Sequence, residues 1–357
     1  MLCRLRFRFA PPVAVARGDA SMPIHVEVVD EHGQGVSLAA ATQAAGTAGW
    51  SIVVAAGDAP PVRLNMAATQ SHGVVRLPLP SLDAAFRIHA HAVSSVDACA
   101  PMYTGLQALT SASAVSPTIL VLPLSSKHIC ISDTFRPGTI PVARRVYDAN
   151  LVLHETYGDA MAAQQWDAGL CLASYLQAWL SYTSPPTTVL ELGAGTGLLG
   201  LALAKWLPAT STVVLTERTS ALRHLEETLS RNAVVVSAQV HAVALDWGDN
   251  EQLLALRASL PSCDLVVLAD VLYCWAAHPR LLDSLRGLVQ LGHTSIFVAH
   301  THRSAHISAH LAALERGTAA VACGHCDGVC GWTAWRWQSL ATVGATQIFA
   351  LTWKAAT

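Results

Sequence analysis

Lysine is nearly missing from this chain. Of 22 basic residues, Lys127, Lys205 and Lys354 are the lysines and the rest are arginine. Charged residues of either sign make up 13%, and no dense basic run occurs. With a formal net charge of -2, this argues against a sequence-independent nucleic-acid binder, which needs a phosphate-neutralising face. Long unbroken apolar runs are absent as well. The longest uncharged stretches, around 33–57 and 98–126, are interrupted by Gly, Ser, Thr and Pro. Neither supplies the ~20 mostly apolar residues of a membrane-spanning helix. A secretory leader of the usual pattern is also missing, so the nine cysteines are expected as free thiols in a reducing, cytoplasmic setting.

What is present is apolar and patterned. Hydrophobic residues reach 52% of 357, enough for about two packed domains. The opening is Arg-rich and free of acid until Asp19, as in a mitochondrial presequence. However, Leu5, Phe7 and Phe9 alternate with Arg4, Arg6 and Arg8, and period two suits a strand better than a targeting helix. Short β-like runs follow, "IHVEVVD", "WSIVVAA", "VRLNM", "GVVRLPL", "FRIHAHAV" and "TILVLPL", punctuated by Gly, Pro, Ser and Asp. Residues 1–135 therefore read as a β-rich domain without a catalytic constellation, and 136–157 as an extended connector.

From 158 to 357 the texture changes. Apolar residues at three- and four-residue spacing, Trp166, Leu170, Ala173, Leu176 and Leu180, predict a helix over 160–182. Pro185 and Pro186 end it. Beyond 188 strands and helices alternate: "TVLEL", "STVVLTE", "AQVHAVAL", "CDLVVLAD", "TSIFVAH" and "TQIFALTW" read as strands. A helix over 219–232 takes Thr219 or Ser220 as its N-cap. Such alternation predicts an α/β domain with a parallel sheet covered on both faces, and a ligand site outside the strands' carboxyl ends.

The segment "TVLELGAGTGLLG" marks that site. Gly195, Gly197 and Gly200 fit the dinucleotide spacing, and Glu217 lies about 20 residues on, where an acid can hold a ribose diol. Both NAD and S-adenosylmethionine would use such an acid. Three details favour the methyl donor. The turn begins at Gly193, so the dinucleotide glycines would fall inside the helix. Glu191 at the strand end would repel a pyrophosphate and tolerate a sulfonium and an ammonium. In "LDWGD", Asp246 can accept from an adenine amine while Trp247 stacks on the ring. No Lys-Ser or Lys-Thr pair follows the glycines, which excludes a P-loop.

Taken together, "QQWDAGLCLASYL", "VLELGAGTGLLGLALA", "VVLTE", "LDWGD" and "DLVVLADVLY" resemble the seven-β-strand methyltransferases. The resemblance is to the protein-lysine branch that modifies elongation factors and chaperones, and it runs from about 158 to 353. Asp270 and Tyr273 fall on that branch's D-x-x-Y signature. The resemblance implies a Rossmann-like sheet in the order 3-2-1-4-5-7-6 with its last strand antiparallel, and S-adenosylmethionine as cofactor. It implies that Trp166 closes the methionine end, that Gly193, Ala194 and Gly195 form the turn, and that Glu217 binds the ribose. Trp247 would border the adenine and Ala269 would lie against the cofactor. Many relatives have Asp where this chain has Glu217. The first ~135 residues are outside the common pattern and look like the extensions of some fungal members, with substrate recognition as a candidate role.

A lysine acceptor has a reference pKa of ~10.4, so its neutral form costs roughly 4.6 kcal/mol at pH 7. An apolar pocket lowers that cost and a carboxylate beside the amine raises it. Asp270 is therefore expected to position the loop or orient the amine rather than take the proton, with Tyr273 beside the acceptor channel. Two other readings stay open: a methyltransferase for a small nitrogen compound such as nicotinamide, and a non-catalytic scaffold with this fold. The cluster Cys323, Cys326 and Cys330 has no second Cys-x-x-Cys to complete a zinc site. His302, His306 and His310, four apart, read as an ordinary helix face, so no metal is expected.

Overall fold

The period-two alternation of the first 135 positions becomes a succession of strands in the computed structural model. The described residues are 161–260, 262–289, 294–317 and 331–353, preceded by the strands given below together with residues 59, 61 and 150. The chain divides into two compact units, Met1–Gln164 and Gln165–Thr357.

In the first unit the strands are β1 Leu2–Phe7, β2 Ala14–Ala16, β3 Ser21–Val29, β4 Trp50–Ala56, β5 Val62–Met66 and β6 His72–Pro78. β7 Ile88–Ser94, β8 Leu120–Leu122, β9 Leu124–Ser125, β10 Cys130–Ser132, β11 Val142–Tyr147 and β12 Leu151–Thr156 complete it. They pair as a sheet β12-β11-β9-β7-β4-β5, a sheet β6-β3-β1-β8 and a pair β10-β2. The Arg-rich opening is thus a strand, paired antiparallel with β3. Alternation decides which face is buried: Met22, Ile24, Val26 and Val28 of β3, and Ile52, Val54 and Ala56 of β4, are all inside.

Residues 136–157, expected as an extended connector, contain the β11–β12 hairpin. Its two strands carry Arg145, Tyr147 and Glu155 on one buried face. The Arg145 guanidinium donates to Glu155 Oε2 at 2.8 Å, and the Tyr147 hydroxyl donates to Glu155 Oε1 at 2.9 Å. Charged residues at these positions hide the hairpin from a period-two reading, because they sit where apolar ones are expected.

The second unit contains β13 Thr188–Leu192, β14 Thr212–Glu217, β15 Gln239–Ala244, β16 Leu265–Ala269, β17 Ser295–Thr301, β18 Trp335–Val343 and β19 Thr346–Trp353. They form one sheet in the order β15-β14-β13-β16-β17-β19-β18, which is 3-2-1-4-5-7-6. β15, β14, β13, β16 and β17 run parallel, and β19 runs antiparallel to both its neighbours. Among the described residues, six α-helices accompany them: α1 Asp167–Leu180, α2 Leu198–Trp206, α3 Leu222–Asn232, α4 Asn250–Ser259, α5 His278–Val289 and α6 Ala305–Glu315. Phe297 of β17 packs its ring against Tyr175 and Trp179 of α1. On the other face a cluster joins Ile296 and Val298 to Leu281, Leu285, Leu311, Trp332 and Trp337. β13, buried along its whole length, lies at the switch point where the chain order reverses, and ligand crevices open there.

Three local expectations change. The helix over 160–182 begins at Asp167, because Met161–Ala163 is a separate 3-10 turn and Trp166 is an extended N-cap with φ −90° and ψ 148°. α3 begins at Leu222 with Ala221 as N-cap and no side-chain cap, since Thr219 is bonded elsewhere. β18 is a strand that the residues alone do not announce: a register shift between Ser339 and Ala341 breaks its alternation.

Removing the partner of a buried charge costs more than removing the pair. Arg145→Met is expected to destabilise the first unit by about 3–5 kcal/mol in urea unfolding. A loss under about 1 kcal/mol would mean that Glu155 is compensated without the guanidinium.

Candidate functional site

β13 delivers the chain to Gly193 at the carboxyl edge of the sheet. Gly193, Gly195 and Gly197 have φ of 71°, 54° and 79°, in the left-handed region that side chains disfavour. The Ala194 amide donates to the Thr216 carbonyl at 2.9 Å, which ties the turn to β14. Glu217, buried at the end of β14, accepts the Gly195 amide on Oε2 at 2.8 Å and the Arg218 amide on Oε1 at 3.0 Å. The carboxyl that faces the turn is therefore Glu217.

Glu191 sits behind the turn. Its Oε2 accepts the amide of Gly200, the third residue of α2, at 2.8 Å. At 2% exposure, burial pushes its carboxyl up to about 8, against the Gly200 hydrogen bond and with help from Glu217. Near neutral pH it is mostly a neutral acid serving a helix N-terminus. A Cβ on Gly200 would stand 2.7 Å from this oxygen and 1.8 Å from Leu215 Cδ2, so glycine there lets α2 approach the sheet.

The "LDWGD" loop is held at three points. Asp246 Oδ2 accepts from the Thr219 amide and hydroxyl, and its own amide donates to Gln252 Oε1 at 2.6 Å. The Thr219 hydroxyl leads the interactions that keep the Asp246 carboxyl below its usual range. Gly248 takes φ 87°, and Asp249 Oδ1 caps α4 through the Glu251 and Gln252 amides. Trp247 is left against the glycine turn: a Cβ on Gly193 would meet its Cζ2 at 3.1 Å and Val271 Cγ1 at 3.1 Å. Asp246 thus anchors the loop that presents Trp247.

The second half of the site lies at the ends of β16 and β17. Ala269 closes β16 opposite Ala299, and a Cβ on Gly169 of α1 would lie 4.0 Å from Ala269 Cβ. Asp270 follows at φ 55°, a left-handed non-glycine residue, and is buried. Its Oδ1 accepts the Thr301 amide at 2.9 Å and Arg303 Nη1 at 3.0 Å. Its Oδ2 accepts Arg303 Nη2 at 2.8 Å and the Thr301 hydroxyl at 3.3 Å. Both carboxylate oxygens are thus engaged by Thr301 and Arg303. Arg303 also lies over the Trp166 ring, 5.2 Å from its centroid. Tyr273 is 52% exposed, and burial of the rest, then Cys274, raises its phenol above the usual value.

Trp166, Gly193, Ala194, Gly195, Glu217, Trp247, Ala269 and Asp270 thus line one edge of the sheet. Glu191 and Asp246 support it from behind and beside, and Tyr273 stands at its exposed rim. The residues alone did not single out Gln165, Thr301 and Arg303. Gln165 Oε1 accepts the Thr196 hydroxyl at 2.6 Å while its Nε2 donates to the Trp166 carbonyl at 2.9 Å. It thereby joins the glycine turn to the start of α1. Thr301 and Arg303 act on a partner more than 30 positions away, which no local spacing reveals.

The histidines expected along one helix face are divided. His302 precedes α6 and bonds to Ser308 and Gln347. His306 and His310 pack against Trp275 instead. Among the described residues no three His, Cys, Asp or Glu side chains gather to hold a metal. Cys323, Cys326 and Cys330 lie outside the described residues. No helix among the described residues is long and apolar enough to cross a membrane.

The strand order, the glycine turn after β13 and the acid ending β14 define a Rossmann-like α/β fold. Residues 146–317 match the family model described as lysine methyltransferase. The protein N-terminal and lysine N-methyltransferase efm7 of Aspergillus fumigatus is 28% identical, over 40% of this chain and 55% of its own length. The mouse protein-lysine N-methyltransferase EEF2KMT is 30% identical, over 39% and 44%. The mouse EEF1A lysine methyltransferase 3 is 30% identical, over 44% and 63%. The matches thus span roughly half the length of these relatives. Among solved structures, a SAM dependent methyltransferase from Aquifex aeolicus has 10% identity and a TM-score of 0.36, over 50% of this chain and 88% of its own.

Glu191 supplies a test of this geometry. Its folded pKa is raised, so its stabilising contribution is complete below the unfolded value of 4.5 and is lost as pH rises toward about 8. Glu191→Gln keeps an acceptor for Gly200 and removes the titration. In urea unfolding the variant is expected to gain roughly 2–4 kcal/mol on the wild type between pH 5 and pH 8. An equal difference at both pH values would refute the buried-acid assignment.

Proposed function

We propose that the protein is an S-adenosylmethionine-dependent protein-lysine N-methyltransferase whose acceptor is a lysine on another protein, a translation elongation factor foremost. The observation that carries this reading is the glycine turn at the switch point, with Trp247 packed so close that a Cβ on Gly193 would meet its Cζ2 at 3.1 Å. The family of residues 146–317 supports it, as do the elongation-factor names of two relatives. The bound donor supplies a methyl group on a sulfonium, already activated for displacement. The chain's own residues then have to bind, align and keep water out.

In this reading Trp247 stacks on the adenine, Glu217 accepts from the ribose hydroxyls, and the Gly193–Gly195 turn lets the backbone come close. Trp166 and Ala269 border the methionine end. Asp270 sets the loop that carries Tyr273 at the acceptor rim, and Glu191 and Asp246 hold turn and loop in place. The role fits Glu217 because its carboxyl already lies at the end of β14 with the turn amide upon it. A cytoplasmic setting fits the free thiols of Cys171, Cys263 and Cys274.

Calorimetry is expected to show S-adenosylmethionine binding to the wild type and at least about tenfold weaker binding to Glu217→Ala, a loss of ~1.4 kcal/mol. Absence of binding at millimolar donor would favour a scaffold. Tritiated methyl transfer into a cell lysate, split into protein and small-molecule fractions, is expected to label protein, with the label on lysine after hydrolysis. Label confined to the small-molecule fraction would move the acceptor to a nicotinamide-like amine.

A further inference from the structure

Arg303 occupies a position that the proposed reaction has not used. It grips both oxygens of Asp270 with two nitrogens, at 3.0 and 2.8 Å, and lies across the ring of Trp166. It is thus the side chain common to the acceptor loop and the start of α1. Asp270 is 6% exposed and directly precedes Val271, which touches the glycine turn. An ionised carboxylate here, without its counter-charge, would put a negative field at the end of the crevice where the reacting groups meet. That field would hold a sulfonium in place and keep an incoming ammonium protonated. Both effects oppose transfer to an amine, which must arrive neutral.

Building on the methyltransferase reading, we propose that Arg303 is a positioning residue that cancels the charge of Asp270 and pins Trp166, so that the methyl end of the site is electrically neutral. The fork geometry suits this task, because a bidentate guanidinium cannot lose its proton and fixes the carboxylate plane. Other titratable groups stand near this end. His300 is buried with Nδ1 3.6 Å from Asp270 Oδ1, and burial pushes it down to about 4. His302 stands beside it. Around Tyr273 lie Cys274, Arg218 and Glu217. None of these is altered in the variants below.

The donor and its product form a charge probe, because S-adenosylmethionine carries a sulfonium and S-adenosylhomocysteine a neutral thioether at the same atom. Calorimetry of the full chain at pH 8 with each compound gives a preference ratio that cancels general damage to the pocket. Arg303→Met is expected to shift this ratio toward the sulfonium by about tenfold, and Asp270→Asn to shift it about tenfold the other way. The double variant should return near the wild-type ratio, and Arg303→Lys, which keeps the charge, should stay within about threefold of it. A structural role alone would weaken both ligands together and leave the ratio unmoved. If Arg303→Met does not fold, Asp270→Asn alone still decides the sign. Ratios unchanged in the single variants, or shifted in the same direction, would overturn the proposal. Failure of the wild type to bind either compound would instead remove the methyltransferase reading.

Discussion

The site depends on one constraint: the chain leaving β13 must reverse through backbone angles that side chains resist, and it must do so against packed neighbours. Gly193, Gly195 and Gly197 supply the angles. What keeps them in place is a pair of buried carboxyls from adjacent strands. Glu191 receives the α2 amide at Gly200, and Glu217 receives the turn amide at Gly195. Each satisfies a backbone donor that would otherwise be stranded in a dry place. The crevice, the approach of Trp247 and the position of α2 all follow from that arrangement.

Burial sets the protonation of Glu191, with the nearby Glu217 adding to it. At 2% exposure Glu191 retains its proton to about 8. In the proposed reading, the ligand contact that the sequence places on Glu191 belongs to Glu217 instead. A position read as ligand chemistry is, in the folded chain, part of the support of the turn. Asp246 shows the same displacement of role: it fixes the loop through Thr219 and Gln252, and its neighbour Trp247 meets the turn.

Much of this was legible in the residues because it is periodic or punctuated. Apolar five-residue runs became β13 and β16, buried throughout or nearly so. The glycine turn and the acid ending β14 stand at fixed offsets from a strand end. The family resemblance supplied the order of the strands. What escaped was non-local or aperiodic. Arg303 meets Asp270 only because β16 and β17 are neighbours, which brings residues 33 apart into one ion pair. The β11–β12 hairpin hid behind Arg145 and Glu155, charges that pair inward. β18 hid behind its register shift, and Trp166 left the helical stripe because it stands extended as the N-cap of α1.

The D-x-x-Y element gains a physical meaning from these contacts. Asp270 accepts four hydrogen bonds from Thr301 and Arg303 while holding a left-handed backbone, which costs of order 1–3 kcal/mol and needs surrounding structure to impose it. A carboxylate spent on its neighbours in this way sets the course of the loop toward Tyr273 and has no lone pair directed at an amine. Transfer to a lysine needs the opposite of a strong base nearby: a site that makes the ammonium expensive, so that the proton is left to water before the amine enters. In the proposed reading the pairing of Asp270 with Arg303 serves this, whereas an unpaired acid would stabilise the wrong protonation state. On that proposal an aspartate can stand beside the reacting groups because Arg303 is already paired with it.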